Sequence, residues 1–172
     1  MQNPWISRNG LWLVLPPIAL CVLDAGLTLY GQSAEYWSGN HAAVNELSPS
    51  FQGYLAVHPL VAGAAFLLWI GIFSAVILLL PELLALVVST AIVLGHMGGA
   101  ESWLAYRFHQ YQACNVLSLA TAAIVVVSFK CGQNKDGRAA FDWARTGLPG
   151  WLRWVLIAGL TLLPIWWFLV PR

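Results

Sequence analysis

The sequence predicts an all-α fold: a polytopic integral membrane helix bundle of about five transmembrane helices plus one short interfacial helix. Three observations carry that reading. Of the 172 residues, 59% are hydrophobic and only 9% charged, against about 25% charged in a soluble domain. The apolar residues fall in runs close to the roughly 20 needed to cross a bilayer core. Lys and Arg gather on alternate connections between those runs, as the positive-inside rule requires. No basic stretch is dense enough to track a phosphate backbone, so nucleic acid is excluded as a partner. The lipid bilayer is the first partner implied.

The whole chain, residues 1–172, reads as one transmembrane domain. Its first run, residues 11–29, is too long for a cleaved signal segment and contains Pro16, Pro17 and Asp24, so it reads as a first span kinked in its early half. Residues 31–53 follow as a long connection without Lys or Arg, with turn chemistry at Asn45-Glu46 and Ser48-Pro49-Ser50 and a short helical turn expected over residues 42–47. Apolar sequence then continues past His96. As one helix, residues 59–96 would extend about 57 Å, nearly twice the bilayer core. The run must fold back, and Pro81-Glu82 is its one breaking point. Spans two and three are therefore placed at residues 59–80 and 83–100, with Pro59 in the first turn, where helices accept proline. Span four covers residues 111–129. The polar residues 130–150 form the next connection, where Asp136 caps an amphipathic helix displaying Ala140, Phe141, Trp143 and Ala144. Span five covers residues 151–170.

Orientation follows from counting. With the N-terminus cytoplasmic, the inner side receives Arg8, Lys130, Lys135, Arg138, Arg145 and Arg153, and the outer side only Arg107 and Arg172. Most tryptophans sit near span ends, as an interfacial belt would place them; Trp37 lies in the outer loop and Trp69 in mid-span. The expected location is the cell membrane, with the C-terminus outside.

On this topology all four histidines, His41, His58, His96 and His109, fall on the outer half, together with Asp24, Glu35, Glu46 and Glu101. Asp24 and His96 each lie thirteen residues above the inner ends of their spans, about 20 Å up and at one level. A carboxylate inside a span costs about 2.5–3.5 kcal/mol on insertion scales and therefore faces the bundle or a wet cavity and finds a partner. His58, just before Pro59, sits at a helix N-terminus, where the dipole favours neutral imidazole. Asp24, His58 and His96 form the candidate core of an outward-facing carboxylate–histidine site, with Glu46 and Glu101 as candidate acid–base partners. The same three core residues are the candidate ligands of a divalent metal such as zinc, which takes His and Asp/Glu. No local ligand motif supports that metal, and no phosphate loop or nucleophile elbow is present. Asn115 is expected as interhelical glue, and Gly95, Gly98 and Gly99 as points of close helix approach. Cys21, Cys114 and Cys131 are odd in number and widely spaced, and read as small apolar residues.

Three functions fit this pattern, and the sequence leaves open whether the protein is an enzyme. The first is an accessory or binding subunit, associated with membrane-protein partners or with its own copies. The second is a metal-dependent membrane hydrolase acting at the outer face. The third is an oligomeric transporter protomer.

Overall fold

The computed structural model describes residues 8–46, 48–132 and 141–169. Four of its helices are long and apolar enough to cross a membrane. They lie in α1 (Arg8–Tyr30), α4 (Pro59–Leu79), α5 (Glu82–Ser102) and α6 (Tyr111–Gly132), where α2 (Ala34–Trp37) and α3 (Pro49–Val57) are short helices in the connection between α1 and α4. The expected fifth span corresponds to α7 (Gly150–Leu169), which holds a shorter apolar stretch, Gly150–Leu162. Among the described residues, length and composition support four spans, and a fifth is not confirmed. The interfacial helix expected around Asp136 falls largely outside the described residues; of it, Trp143–Thr146 forms one 3₁₀ turn, with Arg145 Nε 3.0 Å from Asp142 Oδ2.

α1 is the hub, packed against α4, α5 and α6. It runs through Pro16 and Pro17 without a break. Proline has no N–H to return to the carbonyl four residues back, so Pro17 releases the carbonyl of Leu13. The Ser89 hydroxyl on α5 donates to that carbonyl at 2.7 Å, and both residues are buried. A neighbouring helix therefore repairs the proline defect, the condition under which apolar helices tolerate internal proline.

The chain breaks where the prolines demand it. His58 takes an extended backbone (φ −174°, ψ 145°), the region forced on a residue preceding proline, and Pro59 opens α4 at its first turn. Leu80 and Pro81 are extended between α4 and α5, which pack against each other. The exposed carbonyls at the end of α4 are capped from a distance: Phe141 N–H donates to Leu78 at 3.0 Å and Arg153 Nε to Leu79 at 2.6 Å. These bonds tie the start of α7 and the segment before it to the end of α4.

The main core joins α1, α4, α5 and α7 through residues such as Cys21, Phe73, Ile77, Ala85 and Ile157. Large apolar side chains also point outward, with Leu67 71%, Leu83 72% and Leu119 74% exposed, as expected where lipid is the solvent.

The 31–58 connection is more ordered than a simple loop. The expected turn at residues 42–47 is not helical where described; the helical pieces are α2 and α3 on either side. Ser33 caps α2 by accepting from Tyr36 N–H at 3.1 Å, and Ser48-Pro49, read as a turn, opens α3. Tyr36 is fully buried with Leu55 and Ala62, and its hydroxyl donates to the Leu55 carbonyl at 3.1 Å. Burial pushes the Tyr36 phenol above its ordinary range. Gln32, also buried, holds both backbone groups of Asn45: its Nε2 donates to Asn45 O at 2.9 Å and its Oε1 accepts from Asn45 N–H at 2.8 Å. These bonds fix the 40s segment over the end of α1.

Candidate functional site

α1 and α5 run parallel, meeting at Leu13–Ser89 near one end and at Gly31–Trp103 near the other. Between those contacts Asp24 faces α5, and His96 and Gly99, three residues apart on α5, face back. Asp24 Oδ2 lies 2.8 Å from His96 Nδ1, with the two side chains 15% and 12% exposed. Gly99 makes room for the pair, since a Cβ there would stand 2.6 Å from Asp24 Oδ1. Of the three glycines expected at close helix approaches, only Gly99 is at one; a Cβ on Gly95 or Gly98 would meet open space.

The other ring nitrogen of His96 is also engaged. Trp69 Nε1 on α4 donates to His96 Nε2 at 3.1 Å. An indole N–H only donates, so Nε2 presents its lone pair and the ring proton sits on Nδ1, pointing at Asp24. The arrangement is a relay: indole N–H to neutral imidazole, imidazole N–H to carboxylate.

This relay forms part of the wall of an open cavity of about 700 Å³. α1 contributes Asp24 and Thr28, α4 contributes Phe66 and Trp69, and the 31–58 connection covers it with Glu46, Ser48 and Phe51. Glu46 Oε1 accepts from Ser48 N–H at 2.7 Å. Trp103 opens a π-helical turn (Trp103–Arg107) that extends α5 and separates the cavity from a smaller hollow of about 220 Å³. Glu46, Ser102 and Trp103 line both, and Arg107 lines only the smaller one.

The remaining candidates lie elsewhere. His58 is exposed, accepts from Leu60 N–H at 3.1 Å through Nδ1 and thereby caps α4, with its ring against His41 at 5.1 Å. It borders a different, apolar groove with Leu60 and Leu67. The expected three-residue core is therefore a pair, Asp24 and His96. The expected metal set is not assembled either: among the described residues no group of three or more His, Cys, Asp or Glu side chains is placed to hold a metal ion, and both His96 nitrogens are already bonded. Glu101 turns to α6, accepting from the Ser118 hydroxyl at 2.5 Å; it ties α5 to α6 rather than serving the cavity. Asn115 is exposed on α6 rather than facing a neighbouring helix. His109 is exposed with a left-handed backbone (φ 56°) and turns the chain into α6. Glu35 accepts from Asn40 Nδ2 at 2.6 Å.

Sequence reasoning missed Trp69 as a partner of His96. The signal was its position: a tryptophan away from both interfaces must find an acceptor for its N–H. It also missed Gln32, whose short polar context carries no such mark.

Fold and site together define a class: an apolar helical bundle with a mostly apolar cavity near one end, whose wall carries a carboxylate–imidazole pair. Comparison with protein-family models, with curated proteins and with solved structures finds no match for this chain.

Proposed function

We propose that this is a five-span protein of the cell membrane, N-terminus cytoplasmic and C-terminus outside, which acts as a binding or accessory subunit. Its cavity opens toward the outer face and takes a small polar molecule or a lipid headgroup. One observation carries this reading: the Asp24–His96 pair borders an open cavity of about 700 Å³ instead of being packed away in the core. An ionisable residue within an apolar span that faces an open cavity is by default a mark of a ligand or ion site.

Binding is favoured over hydrolysis by the state of His96. Its Nε2 lone pair, the group a general base would use, already accepts from Trp69. Ser102, a hydroxyl on the cavity wall, donates to the Gly99 carbonyl at 2.7 Å and is not aligned with the imidazole. The bilayer covers the outward-pointing leucines, and the Lys and Arg bias sets the orientation.

The test is native mass spectrometry of protein released from gentle detergent, comparing wild type with Gly95→Leu. Gly95 lines the cavity and its added Cβ meets nothing within 4 Å, so a larger side chain can start there and take up cavity space. Wild type is expected to retain a small-molecule or lipid adduct that Gly95→Leu lacks. Equal spectra for the two proteins would sink the proposal.

A further inference from the structure

Building on that reading of the cavity, we infer that its ligand carries an organic ammonium group. The lining is acidic and aromatic at once. Asp24 and Glu46 supply carboxylates, and Phe51, Phe66, Trp69 and Trp103 supply rings, while among the described residues no Lys or Arg lines the cavity. Phe51 and Phe66 stack with centroids 4.4 Å apart, so the connection's contribution is keyed into α4. Aromatic faces attract a cation through their quadrupoles, most strongly where water is excluded, and ring-lined sites with a nearby carboxylate suit alkylated ammonium groups. An anionic ligand would meet the Asp24 carboxylate, whose His96 partner brings no positive charge.

The relay adds a second argument. Because Trp69 holds the His96 proton on Nδ1, the imidazole is uncharged and spends its one N–H on Asp24. It brings no positive charge to offset the carboxylate, so the cavity keeps the negative character that a cation needs. An ammonium group seated at Asp24 has room among the rings, since about 700 Å³ lies within the range of small-ligand pockets.

Such a group has two sources: a soluble alkylammonium ion or the headgroup of a zwitterionic lipid. Arg107 separates them. It lines the adjoining hollow, which shares Glu46, Ser102 and Trp103 with the main cavity. A lipid whose ammonium occupies the cavity can place its phosphate in the hollow beside Arg107, whereas a free ammonium ion has nothing to place there.

The experiment is calorimetric titration of the purified full-length protein in a maltoside detergent with tetramethylammonium, choline and the neutral isostere 3,3-dimethylbutanol. Alongside it, native mass spectrometry compares protein from nanodiscs of phosphatidylethanolamine with protein from phosphatidylglycerol. The expected result is binding of the cations at least ~10-fold tighter than the isostere, lost in Gly95→Leu and weakened in Asp24→Asn. If the source is lipid, phosphatidylethanolamine is also retained over phosphatidylglycerol, and Arg107→Gln weakens that retention without changing tetramethylammonium binding. Equal binding of isostere and cation, both blocked by Gly95→Leu, would overturn the ammonium inference and leave the cavity reading standing. Cation binding unaffected by Gly95→Leu, or no cation preference in either format, would overturn the inference as well; insensitivity to Gly95→Leu in every format would overturn the cavity reading too.

Discussion

Ser89 and Pro17 are predicted to be energetically coupled across the α1–α5 seam. Pro17 leaves the Leu13 carbonyl without its intrahelical donor, and the Ser89 hydroxyl supplies the replacement at 2.7 Å. In Ser89→Ala that carbonyl is buried with no donor in reach from its own helix. The general cost of such an orphaned group is about 1–3 kcal/mol, whereas side-chain hydrogen bonds between membrane helices average only ~0.6 kcal/mol, with a maximum near 1.7. The small average reflects alternative partners, and proline removes the obvious one here. The expected cost is therefore at the upper end of the membrane range, about 1–2 kcal/mol. Pro17→Ala restores an N–H four residues after Leu13. In that background Ser89→Ala removes a redundant donor and should cost less than ~0.5 kcal/mol. The full double-mutant cycle, measured by equilibrium unfolding in mixed dodecyl sulfate–maltoside micelles, should give a coupling energy of about 1 kcal/mol. Losses that simply add, within the ~0.3–0.5 kcal/mol scatter of independent sites, would refute the repair argument.

Further outcomes follow from the surroundings of Gly99 and Tyr36. Gly99→Ala should lower stability by about 1–3 kcal/mol despite alanine's better helix propensity, because the new Cβ meets the Asp24 carboxylate at 2.6–2.8 Å and must push it off His96. Gly98→Ala, with open space around it, is the control and should be neutral or stabilising by up to ~1 kcal/mol in the same unfolding assay. Tyr36→Phe should cost about 0.5–1.5 kcal/mol through the lost bond to Leu55. Burial raises the Tyr36 phenol in the folded state, so its contribution is fully present below the unfolded value near 10 and is lost as pH rises through the folded value. Wild type should therefore lose stability above about pH 10 more steeply than Tyr36→Phe; parallel alkaline profiles would count against the burial of this phenol.

What could be read from the sequence depended on whether a proline or a count of helical rise decided the matter. Pro59 and Pro81 place the starts of α4 and α5 within a residue of expectation, because each removes a backbone donor at a point where the helix can spare it. Asp24 and His96 were put at one level by rise per residue alone, and in the structure they touch, because α1 and α5 run parallel and register is preserved along the seam. Level says nothing about azimuth, which is why His58, also on the expected outer half, turned out to cap α4 beside a different groove. Azimuth likewise misled for Asn115 and for Glu101, whose partner is on α6. The 31–58 connection was the least legible part. Helices as short as α2 are not stable by propensity; they form where Tyr36 is buried and Gln32 grips Asn45, and those contacts exist only after the fold has closed.

The seam between α1 and α5 also bears on how the protein is made. Chains enter the membrane N-terminus first, so α1 arrives before α5 has been synthesised. At that moment the Leu13 carbonyl lacks Ser89, the Asp24 carboxylate lacks His96, and the bare backbone at Gly31 lacks the Trp103 ring that later covers it. A lone helix with a carboxylate in its apolar run and two internal prolines is a poor candidate for independent insertion. If it spans a bilayer as proposed, its polar groups would gain their partners only with the α4–α5 hairpin, which carries Ser89, His96 and Trp69. In the proposed membrane setting the first helix would thus depend on the hairpin that follows it for the partners of its polar groups.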